Sequence, residues 1–409
     1  MRHFILFSVT IFFIYSCKET KPKPTLEKIL DTGTEEFRKV ILKKDKYEVQ
    51  ILFSPITKTE DGVIVEDYFF NFRPDDFFYP ASSVKMPVAL LALQKLEELR
   101  KAGVTVNRNT PLTIDSLRPP QTPVTSDSTN VTGFATLAHY IDKLFVVSDN
   151  DAYNRLFEFT TQDYINSHLR NKGIFTNSRI VHRLGVGGFS FDENKWVPSI
   201  NFLDKNGGAY HTRQPSFAQS SWLTPISKTQ KGIAYIDPDG TKVEESIDFS
   251  KKNFINIKDL QESLKRLIFP GLYPVEMQYS LRKSDRLFVL ESMATLPKNH
   301  TYLKGKTDEY YDSYIKFFLF GDSKEPIPDH IIIRNKVGVA YGYLTDCAYI
   351  QDTKHDIEYF LTATVHVNEN QTYNDGIYEY DDVGIPFLAE LGRLVHQYMI
   401  DKKHDNEKI

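Results

Sequence analysis

Cysteine is almost missing from this chain: Cys17 and Cys347 are the only two among 409 residues. A disulfide-stapled scaffold is therefore excluded, and if Cys17 is consumed in processing no intrachain bridge remains. Cys347 lies in the strand-like stretch "YLTDCAYI" and reads as a buried structural thiol. A basic excess is missing too. Fifty Lys and Arg stand against 54 Asp and Glu, for a net charge of −4. A phosphate-binding surface needs clear positive excess, so no nucleic-acid partner is expected. No apolar run of 18 or more residues lies beyond the N-terminus, so no later segment reads as a membrane span. There is no internal repeat. The eleven histidines are scattered, with no His-x-x-x-His or His-x-His pair, so neither a metal nor another cofactor is expected. "GVGG" at 185–188 lacks the Lys-Ser/Thr of a phosphate loop and reads as a turn. What remains is ordinary: 41% hydrophobic and 25% charged residues, enough to build a core in one large domain or two smaller ones.

The first residues depart from that balance. "MRHFILFSVTIFFIYSC" has a basic start, an apolar stretch and a small residue, Ser16, before Cys17. That is signal-peptide order. It resembles a bacterial lipoprotein signal, in which cleavage leaves the cysteine as a lipid-bearing first residue. The resemblance implies a signal over residues 1–17, lipidation at Cys17, and an exported protein anchored to a bacterial membrane, in the periplasm or at the cell surface. An ordinary secretion signal or a membrane anchor is the competing reading. Residues 18–24, rich in Lys and Pro, suit an extended tether.

Residues 25–43 have helical spacing. "YEVQILFSPI" and "VIVEDYFFNF" read as an antiparallel pair about the turn "EDG". "VALLALQKLEEL" starts apolar on all sides, as a buried helix does, and Gly103 is its stop. Pro87 places the regular start of that helix near Ser83 or Val84, or in a tight turn just before. Helices follow on both sides of "SDN" and through "QDYINSHLRNKG". Residues 185–255 read as loops with a small hairpin at "DPDG". "NIKDLQESLKRLI" and "SDRLFVLESMATLP" resume helical spacing, "HIIIRNKVGVAYGYLTDCAYIQD" and "IEYFLTATVHVN" are strands, and "DDVGIPFLAELGRLVHQYMI" closes the chain as a helix. This order predicts an α+β fold: an antiparallel sheet built from both chain ends, flanked by helices, with a helical lobe inserted. The expected boundaries are one domain over 25–400, with a sheet lobe at 25–80 and 280–400, a helical lobe at 81–279 that carries an insertion around 185–255, and a polar tail at 401–409.

Three short motifs bear chemistry. Ser82 and Lys85 in "YPASSVKMPVALLAL" are one helical turn apart and share a face. A serine hydroxyl needs a neighbouring base to act as a nucleophile, and a lysine serves when burial and a second cation favour its neutral form. The spacing alone also fits a surface lysine beside a capping serine, and it recurs at Ser280–Lys283. "SDN" at Ser148, Asp149 and Asn150 offers a hydroxyl for proton relay and an amide to hold substrate, or a plain helix cap. "KVG" at Lys336–Gly338 puts a cation on a strand and a glycine that lets a substrate backbone approach.

In this order the motifs resemble those of the class A β-lactamase and penicillin-recognising serine hydrolase family. "VVSDNDAYNRLFEF" also carries the family's alanine and asparagine after the triplet, at Ala152 and Asn154. The resemblance implies Ser82 as the acylated nucleophile and Lys85 as its base. It implies Ser148 as the proton relay and Lys336 as the charge at the acyl site. Asn150, Gly338 and Val339 would bind substrate, with the N–H groups of Ser82 and Val339 as the oxyanion hole. The expected substrate is a small β-lactam, a related amide or ester, or a cell-wall peptide. Two departures bear on substrate. Val337 stands where the family has a hydroxyl residue. The loop glutamate that positions hydrolytic water falls at Val197 or at Leu184, depending on alignment, with Asp192 and Glu193 as possible substitutes. Alternatives are therefore a D,D-peptidase or esterase with poor β-lactam turnover, or a non-catalytic cell-envelope sensor.

Overall fold

The computed structural model describes residues 26–60, 62–300, 303 and 309–407. The signal segment and tether, Cys17 among them, lie outside the described residues.

Helices α1 (Leu26–Leu30) and α2 (Glu35–Leu42) occupy the first helical stretch. The expected single helix is broken because Thr34 caps α2, its side chain accepting from the Phe37 N–H at 3.3 Å, and Gly33 makes the turn. A Cβ on Gly33 would stand 2.3 Å from the Phe37 ring. Strands β1 (Gln50–Thr59), β2 (Gly62–Val65) and β3 (Tyr68–Phe70) follow. The chain's second half supplies β4 (Ile331–Ala340), β5 (Tyr343–Asp352) and β6 (Ile357–His366). All pair antiparallel in the order β4-β5-β6-β1-β2, with β3 also on β1, so the two chain ends meet at the β6–β1 seam.

Both faces of the sheet are covered, which is why its strands read as nearly unbroken apolar runs. Along β5, Tyr343, Cys347 and Tyr349 join the core shared with the helical lobe, while Leu344, Ala348 and Ile350 join the other core. That second core is closed by α1, α2 and the long C-terminal helix α9 (Ile385–Glu407). Cys347 is fully buried, as a structural thiol should be.

The other lobe holds α3 (Lys85–Lys101), α4 (Leu137–Val146), α5 (Asn150–Thr160), α6 (Gln162–Asn171) and α7 (Ile257–Ile268). Helix α8 (Lys283–Ala294), inside the expected sheet lobe, packs on α4 as well as on β4, because Val289 and Met293 join the helical-lobe core. Helix α3 is buried on every side through Leu93, matching its all-round apolar start. The stretch 185–255 is more ordered than loops and one hairpin. The hairpin at Asp237–Gly240 is present, and Ile200–Leu203 also pairs with both Leu112–Ile114 and Ala209–Arg213. Pairing across some 90 residues leaves no local period to read. Among the described residues no helix is long and apolar enough to cross a membrane.

Candidate active site

Ser82 sits in a 3₁₀ turn, Ala81–Val84, that runs directly into α3. Pro87 is the third residue of α3, where a helix has no use for its N–H. Ala81 has φ 45°, a left-handed conformation that alanine disfavours, and the turn presents Ser82 half-buried between buried neighbours. The Ser82 hydroxyl has no hydrogen-bond partner among the described residues, so it is free to meet a substrate. Strand β4 crosses this turn at backbone contact: a Cβ on Gly338 would lie 2.3 Å from the Pro80 carbonyl oxygen and 3.2 Å from the Ser82 nitrogen. Only glycine fits there. Val339 follows on the free edge of the sheet and is 40% exposed.

The lysines converge on one hydroxyl. Lys85, with no exposed surface, donates from Nζ to Ser148 Oγ at 3.3 Å, to Asn150 Oδ1 at 2.7 Å and to the Ser148 carbonyl. Lys336 donates to the same Ser148 Oγ at 2.8 Å and to the Val337 carbonyl at 3.0 Å. Ser148 itself holds φ 56°, so the turn before α5 is strained to aim its side chain. Among the described residues no carboxylate hydrogen-bonds either amine. Burial, and then the Lys336 charge, push Lys85 well below the ordinary lysine range, against a weaker pull from Asp149. Burial lowers Lys336 to about 7, opposed by Asp346 and reinforced by Lys316. The neutral amine that a lysine base requires is favoured.

Behind Lys336, on the other face of β4, lies a network that sequence reasoning missed. Lys316 Nζ donates to Asn335 Oδ1 at 2.7 Å, and Asn335 Nδ2 donates to Asp346 Oδ1 at 2.8 Å. All three are buried, and burial raises Asp346 to about 6. Only Asn335, next to Lys336, offered a positional hint. Val337 shares that rear face and packs into the core under α9, so it does not line the cleft. A hydroxyl at 337 on this strand would lie on the rear face opposite Asp346, not in the cleft.

Helix α5 grips the segment 182–184. The Asn154 amide donates to the Leu184 carbonyl at 3.0 Å and accepts from the Leu184 N–H at 2.8 Å. The Tyr153 hydroxyl donates to the His182 carbonyl, and Arg183 Nε donates to the buried Glu158 at 3.0 Å. Gly185 then lies so close to Asn150 that a Cβ there would stand 2.2 Å from its Nδ2. Leu184 is thus beside the site. Val197 is buried elsewhere, in a ladder with Ser216–Phe217. Of the two positions considered for a loop glutamate, Leu184 is the one whose segment runs beside Asn150. Neither proposed substitute helps: Asp192 pairs with Lys195 and Glu193 with Ser190. Between this segment and the Ser82 turn is a cavity of about 440 Å³, lined among others by Tyr79, His182, Phe189, Lys252 and Tyr341.

The structure therefore brings Ser82, Lys85, Ser148, Asn150, Lys336 and Gly338 into one cleft between the lobes. Ser280 and Lys283, with the same spacing as Ser82 and Lys85, lie outside it: Lys283 is exposed and Ser280 accepts from Lys101.

Residues 34–213 match the model of the Beta-lactamase enzyme family, a span that includes Ser82, Lys85 and Ser148–Asn150 but not β4. No curated protein sequence matches the chain. Among solved structures, a β-lactamase from Desulfarculus baarsii DSM 2075 is similar at 12% identity and a TM-score of 0.47, covering 91% of this chain and 97% of its own. A variant of a reconstructed class A β-lactamase, from the last common ancestor of Gram-negative bacteria, is similar at 14% identity and a TM-score of 0.45, covering 89% of this chain and 98% of its own.

Proposed function

We propose that this chain is a class A β-lactamase-like serine hydrolase that works through an acyl-enzyme at Ser82. The observation that carries the reading is the Ser148 hydroxyl held between the amines of Lys85 and Lys336, at 3.3 and 2.8 Å. Ser82 Oγ attacks the substrate carbonyl carbon, and its proton passes to neutral Lys85. The tetrahedral oxyanion lies against the N–H groups of Ser82 and Val339. Collapse breaks the amide or ester bond, and the departing nitrogen or oxygen takes the proton from Lys85 through Ser148. Asn150 holds the substrate amide, Lys336 attracts an anionic group, and Gly338 leaves room for a substrate backbone along β4.

Leu184 favours a second reading on substrate. The segment facing the cleft carries no carboxylate to activate water, so deacylation is slow and a cell-wall D,D-peptide or an ester fits better than a rapidly hydrolysed β-lactam. Incubation with a fluorescent penicillin and with an activated ester, read by intact mass and peptide mapping, tests both parts. A persistent adduct on Ser82, absent in Ser82→Ala, is expected. No adduct with either reagent sinks the acyl-enzyme. Rapid turnover of a chromogenic cephalosporin sinks the slow second step. We further propose that Cys17 carries the lipid anchor of an exported protein. Palmitate labelling lost in Cys17→Ser is the expected result, and labelling that persists refutes it.

A further inference from the structure

At the end of β5 remote from Ser82, three side chains from separate parts of the fold meet around one carboxylate oxygen. Asp352 is the last residue of β5, His355 lies in the β5–β6 turn, and His396 comes from α9. Asp352 Oδ2 is 2.6 Å from His355 Nδ1 and 3.1 Å from His396 Nε2, and the three atoms lie within 4.8 Å of one another. Asp352 pairs with Ile331 while Thr345 pairs with Gly338, seven residues along the same strand. At about 3.3 Å per residue the cluster is roughly 23 Å from the nucleophile turn.

We propose that Asp352, His355 and His396 bind a divalent first-row cation of the zinc type. Two imidazole nitrogens and one carboxylate oxygen are a borderline ligand set that suits zinc, and water completes the coordination. The outer contacts are those a metal site needs. Asp352 Oδ1 is held by the N–H groups of Lys354 at 2.9 Å and His355 at 3.2 Å, which turns Oδ2 toward the imidazoles. The far ring nitrogen of His396 meets the Tyr359 hydroxyl at 3.2 Å, which fixes the ring's orientation. The Asp352 side chain is fully buried, whereas that of His355 is 27% exposed, so the site opens to solvent on one side. Bound metal would tie α9 to the β5–β6 turn and so brace the sheet from its rear end. The histidines are 41 residues apart in sequence, so no spacing motif announced them.

The test uses the purified full chain, stripped with a chelator and titrated with zinc against a chromophoric chelator, with thermal unfolding followed in parallel. One zinc per chain and a raised Tm are expected. His355→Gln, in a solvent-facing turn, should weaken binding at least about tenfold and abolish the Tm rise. His396→Gln should do the same, and acylation at Ser82 should continue in both. The proposal is overturned if stoichiometric zinc is not retained, if the His355 and His396 variants bind as tightly as the parent, or if zinc leaves Tm unchanged. Those results would leave a hydrogen-bonded cluster only.

Discussion

Two kinds of buried lysine occur in this molecule. Lys231 and Lys265 are nearly inaccessible, and each reaches a carboxylate: Lys231 meets both oxygens of Glu48 at 2.7 Å, and Lys265 meets Asp67 at 2.6 Å. Lys85 and Lys336 are at least as buried, but their hydrogen-bond partners are a hydroxyl, two carbonyls and an amide oxygen. The first pair each sit against a counter-charge and tie distant elements together. The second pair are pressed toward neutrality. Burial alone therefore does not press a lysine toward neutrality; burial without a hydrogen-bonded carboxylate does, because desolvation then outweighs the remaining attraction on the ammonium. Lys316 behind the site meets the same condition, so it is position in the cleft that sets Lys85 and Lys336 apart.

The sharpest way to break the comparison is to remove the side chains. Lys85→Met should lower Ser82 acylation on the order of a thousandfold, as loss of a general base does, without lowering Tm, since a buried uncompensated cation leaves with it. Acylation kinetics and thermal unfolding on one preparation check both halves, and preserved acylation would show that Lys85 is not the base. Lys265→Met should do the reverse. Acylation persists, while stability falls by about 1–3 kcal/mol in denaturant titration, less than for a fully enclosed pair because Asp67 keeps contact with water.

A smaller effect concerns pH. The folded value of Lys336, about 7, lies below the value of about 10.4 in an unfolded chain. The unfolded chain binds more protons between the two, so stability rises with pH across that window. The Lys336 penalty is thus largest below 7 and gone above about 10.4. Lys336→Met should accordingly raise Tm most at pH 6 to 7 and converge on the parent toward pH 10. Reaction with an anionic substrate should decline as pH rises through about 7, when Lys336 loses its charge, while a neutral ester shows no such decline. Equal profiles for the two substrates would remove Lys336 from substrate attraction.

Most of the fold was legible because its elements carry their own signals. The apolar start of α3, the cap offered by the SDN triplet and the β-branched strands are local features, and local features print directly into sequence. The break at Gly33 was legible in principle, yet helical spacing on either side masked it. The ladder between 112–114 and 200–203 was not, since its short strands are stabilised only by distant partners. Ser82, Lys85, Ser148 and Lys336, which the fold brings together, could be singled out because each sits in a compact motif. Lys316 and Asp346 were missed because nothing near them in sequence connects them to Lys336.

The sequence by itself determined the α+β order, the burial of α3 and the place of the Ser82 turn at its start, since these follow from periodicity, caps and short spacings. Only the tertiary structure decided that the segment of Leu184, rather than that of Val197, runs beside the cleft. It also decided that Val337 turns away from the cleft, that Lys85 and Lys336 share one hydroxyl without a carboxylate, and that His355 meets His396. Each of those depends on which distant segments pack together, and contact across the chain is set by core closure and backbone approach, at Asn154 and Gly338 above all, rather than by any local pattern.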